Sequence, residues 1–285
     1  MEGGLEIKIK PEKPKLLKHL NEGVKPIYAS LMSAFEDPDV IDPETGKPIQ
    51  YSPENISDFI EAFKKRENVQ EVSWFAEKEK LDREGFLHGG VESYVISPIN
   101  DSDKFSEGYN ACTGLVVSGI DKKTGKNISF ISHQATGVLV QISMIKEKFQ
   151  RDLDQRLREI KEMCVEGTVD AVLVGGDYFY KYSLEGPPLS SIRYERTTEI
   201  LMKPFMRNFD FEPTIINGPK VLTEDPAEKR QDQKKEHEDD QVYFDNSERR
   251  LYFVRSKINQ LRQGKGRTSG DFRPSELEDR RGDWK

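Results

Sequence analysis

Apolar residues recur along this chain at two different periods, and the period changes near residue 85. The clearest helical pattern is Ile142, Ile145, Phe149, Leu153, Leu157, Ile160 and Cys164. These recur at three- and four-residue steps over about six turns, with charged residues between them, and predict an amphipathic helix over 142–164. Gly167 stands where its C-cap is expected. A second helix is predicted from Ser52-Pro53-Glu54, with Pro in the first turn and Ile56, Phe59, Ile60 and Phe63 on one face. Residues 197–207 predict a third, bent or ended by Pro204. The stretch 15–35 reads as helical segments interrupted near Gly23 and Pro26, and 69–84 reads as mixed.

Beyond residue 85 short apolar runs predict strands. They are VESYVIS (91–97), TGLVVSG opening at Cys112, ISFIS closing at His133, DAVLVGG (170–176) and FEPTIING (211–218). The linker DKKTGKN between the Cys112 and His133 runs has hairpin-loop chemistry. QVYFD (241–245), a turn at Asp245-Asn246-Ser247, and RRLYFVR (249–255) predict a closing hairpin. The chain thus divides into a mainly helical N-terminal extension (1–84), an α/β domain (85–255) and a polar tail (256–285). The domain carries a charged insert at 224–240. Insert and tail hold too few apolar residues to offset chain entropy, and both are expected to be mobile and dispensable for folding.

Composition narrows the function classes. Charged residues make up 33% of the 285 and the net charge is −7. No large phosphate-neutralising surface is implied, which argues against a general nucleic-acid binder. Two cysteines make no disulfide framework, and no Cys/His spacing suits structural zinc. No apolar run reaches membrane-spanning length, and the N-terminus lacks an apolar signal core. A cytoplasmic protein with no membrane insertion is expected; the oligomeric state stays open.

The candidate chemistry lies in the hairpin. If its strands pair antiparallel, Cys112 and His133 near their far ends come together. A thiol needs a neighbouring base or imidazolium to be a useful nucleophile at neutral pH. His133 would deprotonate Cys112 and later protonate a leaving amine. The bland alternatives are a buried inert thiol and a strand-end histidine bonded to backbone. Ser106, six residues before Cys112, could hold the imidazole tautomer as a third member, or be a solvated loop serine. Gln134 could donate to an oxyanion or equally be a loop residue. Gly175 and Gly176 end a strand and would permit close approach of a substrate or another strand, or simply make a sharp turn. Thr113 points to the face opposite Cys112. Cys164 falls on the helical stripe and is explained by packing. The segment 264–270 (GKGRTSG) lacks the flanking strand and helix of a phosphate loop.

The ordered set EGYNACTGLVVSG, ISFISHQ, the helix 142–164, VDAVLVGGDYF and VYFDNSERRLYFVR resembles the bacterial chemoreceptor glutamine deamidase (CheD) family over roughly residues 90–255. That family carries a Thr six residues before its Cys, where this chain has Ser106. It has Gly-Ser before the Cys, where this chain has Asn110-Ala111. After the His, this chain has Gln134-Ala135-Thr136 in place of an apolar, Pro-containing stretch. The 1–84 segment, the insert and the tail have no counterpart. The resemblance implies an α/β fold in which a layered mixed β-sheet packs against helices, with the Cys-His site at a sheet end. It implies hydrolysis of a glutamine carboxamide on a partner protein with an accessible Gln, through a thioester, with no metal or organic cofactor. Chemotaxis is the setting it suggests. Two alternatives compete: another thiol acyl transfer, such as transamidation or peptide cleavage, and a non-catalytic interaction domain that keeps the fold.

Overall fold

The computed structural model describes residues 19–33, 53–73, 78–89, 93–109, 112–175, 189–217 and 240–255. The protein is a mixed α/β structure in which two mixed sheets face one another and helices cover their outer faces. One sheet has five strands, ordered β1 (Tyr28–Ser33), β11 (Arg250–Arg255), β10 (Asp240–Asp245), β5 (Asp103–Glu107) and β2 (Val69–Glu71). The other has six, ordered β3 (Leu87–His88), β4 (Tyr94–Ile96), β7 (Asn127–Ala135), β6 (Cys112–Ile120), β8 (Asp170–Gly175) and β9 (Thr214–Asn217). The remaining elements are the helices α1 (Pro53–Lys64), α2 (Lys78–Arg83), α3 (Thr136–Gln141), α4 (Ser143–Met163) and α5 (Leu189–Asn208).

Three apolar layers follow from the period-two alternation of the strands. Leu115, Val117, Phe130 and Leu173 point from the six-stranded sheet toward α3, α4 and α5. Val116, Ile131, Val172 and Val174 point the other way and meet Val242, Phe244, Leu251 and Phe253 of the five-stranded sheet. Phe105, Tyr243 and Val254 on the outer face of that sheet pack with Ile56 and Phe63 of α1. Strands buried on both faces explain why β6 and β8 read as continuous apolar runs. The α4 stripe is Phe149, Leu153, Leu157 and Ile160, all fully buried. Each contributes about 1.5–3 kcal/mol by burial, and Leu157→Ala would cost about 2–5 kcal/mol.

Several expectations are corrected. The helical reading of 15–35 fails at Tyr28–Ser33, which is strand β1 and pairs parallel with β11. Its inward residues alternate, with Ala29 in the inter-sheet core and Met32 toward α1. Gly23, at φ 83°, and Pro26 exclude a continuing helix before it. The described parts of 1–84 are also joined to the domain, since β1 and β2 are strands of the five-stranded sheet.

Helix α4 begins at Ser143, and the short α3 precedes it. Ile142 is the extended joint between them and is 44% exposed. Helix α4 ends at Met163, with Cys164 as its C-cap, so Gly167 lies in the following loop. Pro204 neither ends α5 nor leaves Ile200 O bare. Proline has no N–H for that carbonyl, and the Gln150 side chain of α4 supplies a donor at 3.4 Å. The insert 224–239, the tail 256–285 and Gly176 lie outside the described residues.

Candidate active site

The hairpin of β6 and β7 is antiparallel, and its loop is built by Asp121. The carboxylate accepts from Thr124 N and Oγ1, and Gly125 takes φ 70°. The register differs by two residues from a direct Cys112–His133 pair: Cys112 faces Ala135, and His133 faces Gly114. The two are therefore diagonal neighbours on one face, positions about 7–8 Å apart in a sheet. Both point into the inter-sheet layer. His133 is 2% exposed, whereas Cys112 is half-buried at the strand's start.

Ser106 arrives from the other sheet. In β5 the alternation turns Lys104 and Ser106 inward and Phe105 outward, with Val242 as the partner of Ser106. The serine is fully buried within a strand, not in a solvated loop. The chain then crosses between sheets at Gly108, whose φ of 81° favours glycine. This crossing lets a residue six positions before Cys112 lie beside an imidazole on the neighbouring sheet.

Ser106 Oγ hydrogen-bonds the Val72 carbonyl and lies 2.8 Å from His133 Nδ1. A carbonyl can only accept, so with the hydroxyl proton on Val72 O the ring donates from Nδ1 and Nε2 carries the lone pair. Burial holds His133 neutral, pushing its pKa down to about 3, with the Gly108 backbone pulling weakly the other way. A thiol on the same sheet face as a neutral imidazole, two residues out of register with it, suits general-base activation rather than a preformed thiolate–imidazolium pair.

The remaining sequence candidates separate cleanly. Gln134 points to the helix side, where its Nε2 donates to Thr113 Oγ1 at 3.0 Å. It is fully buried on the face away from the thiol, so the structure does not bring it to the site as an oxyanion donor. Thr113 shares that face, as expected. Gly175 pairs with Thr113 and closely abuts the thiol's own residue: a Cβ there would come within 2.3 Å of Cys112 O. Its role in the structure is close strand packing at φ 76°. Cys164 is buried, and desolvation pushes its thiol pKa up to about 12.

Two residues went unrecognised in the sequence. Val72 supplies the carbonyl that orients Ser106. Tyr109 stacks on His133 with ring centroids 4.0 Å apart and planes 12° apart. The available signal was Gly114, an isolated glycine in an apolar strand pattern, which marks close approach by another group. A cleft of about 670 Å³ lies at the other end of β6, lined in part by His19, Lys122, Lys161, Phe209 and Phe211. It contains none of Ser106, Cys112 and His133.

Among the described residues, no helix is long and apolar enough to cross a membrane. No family model matches the chain, and no curated protein matches it.

Proposed function

We propose that the protein is a thiol-dependent amidohydrolase that deamidates glutamine side chains of a partner protein. The observation that carries this reading is the Ser106–His133 hydrogen bond, on the sheet face shared by Cys112. Ser106 Oγ faces His133 Nδ1, so in this reading Nε2 is the nitrogen that exchanges the proton with the thiol. The half-buried position of Cys112 beside the fully buried His133 suits a side chain that enters from outside and meets the thiol first.

The steps balance as follows. His133 Nε2 takes the Cys112 proton while Sγ attacks the carboxamide carbon. The tetrahedral intermediate collapses with cleavage of the C–N bond, and Nε2 returns the proton to the departing nitrogen, which leaves as ammonia. Water then gives a proton to Nε2 and its hydroxide oxygen attacks the thioester. The C–S bond breaks, the thiol is re-protonated, and the product is glutamate. Ser106 keeps Nδ1–H paired throughout, the role of the third member in a nucleophilic triad. Membership of the chemoreceptor deamidase family and a place in chemotaxis belong to the same proposal, supported by the ordered motifs.

The test is mass spectrometry of glutamine-bearing proteins incubated with the full chain or its Cys112→Ala variant. The expected result is a gain of about one dalton at glutamine, without cleavage and only with the intact thiol. Peptide cleavage or amine incorporation would transfer the site to the other acyl-transfer chemistries. Equal activity of both proteins would overturn the reading.

A further inference from the structure

A triad needs a nucleophile, a base and an orienting group; an aromatic ring laid flat on the base is an addition. Tyr109 is that ring, and it sits in a slot formed by three strands. The phenol is fully buried. Its Oη–H donates to Ser132 O at 3.0 Å, the carbonyl just before His133. Gly114, opposite His133 in register, makes room for it: a Cβ there would lie 2.6 Å from Tyr109 Oη and 2.7 Å from Cε1. Gly175 on β8 does the same from the far side, where a Cβ would lie 2.8 Å from Tyr109 Cδ1. Hydrogen bonds to Ser132 O and with Ser106, and two missing side chains, therefore determine where the phenol lies. The imidazole in turn is bounded by the phenol on one face and by Ser106 Oγ at Nδ1.

We infer that Tyr109 is a positioning residue of this site: its slotted ring holds the His133 imidazole in the one orientation that keeps Nδ1 on Ser106 and presents Nε2 toward the Cys112 side. The inference rests on the reading that Cys112 and His133 act together. The physical case has two parts. A ring pressed flat at 4.0 Å blocks rotation of the imidazole out of its plane, and a flip would exchange nitrogen for carbon at Ser106. The base also gains a positive charge each time it takes a proton from the thiol or from water. In a buried site that charge is costly, and the face of a phenol is a better neighbour for it than an aliphatic wall.

The test is the rate of Cys112 alkylation by excess iodoacetamide between pH 5 and 9, followed by mass spectrometry on the full chain. The variants are His133→Gln, Tyr109→Phe, Tyr109→Leu and Tyr109→Met. His133→Gln should slow alkylation and return the profile toward a free thiol titrating near ~8.5. Tyr109→Phe keeps the π face and should restore most of the unmodified rate. Tyr109→Leu and Tyr109→Met should slow alkylation about tenfold at pH 7 and displace the profile toward higher pH, with unchanged far-ultraviolet dichroism. If both aliphatic variants overlay the unmodified protein while His133→Gln does not, the inference about Tyr109 is wrong and the Cys-His reading stands. If His133→Gln also overlays it, the Cys-His reading itself fails. Should the aliphatic variants not fold, nitrogen-15 NMR of the unmodified His133 ring decides. A single Nδ1–H tautomer with ring protons displaced by the current of a stacked phenol supports the inference; averaging between tautomers, or ring protons without that displacement, overturns it.

Discussion

The two ends of the facing sheets bury polar groups for opposite purposes. At the end away from Cys112, buried polar side chains bind chiefly backbone, with side-chain partners at Lys104 and at Asp170, which also meets His19. Arg249 donates to Thr168 O and Ser118 O. Asn246 donates to Asp101 O and Asn127 O. Asp170 accepts from Ile27 N and Ala171 N. The bonds of Arg249 and Asn246, and that of Asp170 to Ile27 N, tie distant segments together. Lys104 belongs to this end too: its Nζ reaches Asn100 Oδ1, Ser102 O and Ser129 Oγ, and burial lowers its pKa to about 7. At the Cys112 end the buried groups address one another. Ser106 meets His133, Tyr109 stacks on His133, and Cys112 lies on the shared face. Loss of a side chain should therefore cost stability at the first end and turnover at the second.

The largest separation is expected between Cys112→Ala and Arg249→Ala. The first should abolish turnover, because no other nucleophile is placed to form the acyl intermediate, and should shift stability by about 1 kcal/mol or less. The second should cost about 2–4 kcal/mol in urea unfolding, since it strips two buried carbonyls of their donor. Its Cys112 alkylation rate should stay close to normal while the protein is folded. A stability loss for Cys112→Ala as large as that for Arg249→Ala would erase the distinction between the ends.

Next in size is Ser106. Ser106→Ala should lower turnover about 10–100-fold by releasing the imidazole tautomer. Ser106→Thr keeps the hydroxyl and should retain much of the activity. Its added methyl enters a filled layer and should cost about 1–3 kcal/mol of stability. Full turnover by Ser106→Ala would reduce the site to a dyad.

The smallest effect is a pH dependence peculiar to His133. Its folded pKa, about 3, lies below the ordinary 6.5. Between those values the unfolded chain binds a proton that the folded chain refuses, so stability falls as pH drops below about 6.5. From pH 7 to pH 5 this term is about 2 kcal/mol. His133→Gln should lose about that much less than the unmodified protein over the same interval, measured by urea titration at both pH values. Equal losses would mean that His133 is not held neutral by burial.

The sequence carried much of this layout, for physical reasons that differ by element. Helix α4, the β6–β7 hairpin and the β10–β11 hairpin were legible because their periodicity and turn residues are local. Strand β1 was not, because its strand state depends on pairing with β11, more than 200 residues away. Pro204 read as a break because the donor that compensates it, Gln150, lies on another helix. At the site, Cys112 and His133 stood out by rarity and by the hairpin, yet the two-residue offset in their register needed the backbone. Ser106 was a candidate only through the family spacing, because a lone serine in SEGYNAC reads equally as a solvated loop residue. Gln134 was a candidate oxyanion donor through chain proximity to His133, although adjacent strand residues point to opposite faces. Tyr109 was hidden because stacking across a sheet crossing leaves no periodic trace.

The measurement that tests the central claim most directly is capture of the acyl intermediate. The full chain would be mixed with a glutamine-bearing protein substrate, quenched in acid, digested and searched by mass spectrometry. The account predicts a hydroxylamine-labile thioester on Cys112, equal to the substrate peptide less about 17 daltons for ammonia, with none on the buried Cys164. Deamidation that proceeds with no adduct and persists in Cys112→Ala would contradict it, as would an adduct confined to Cys164.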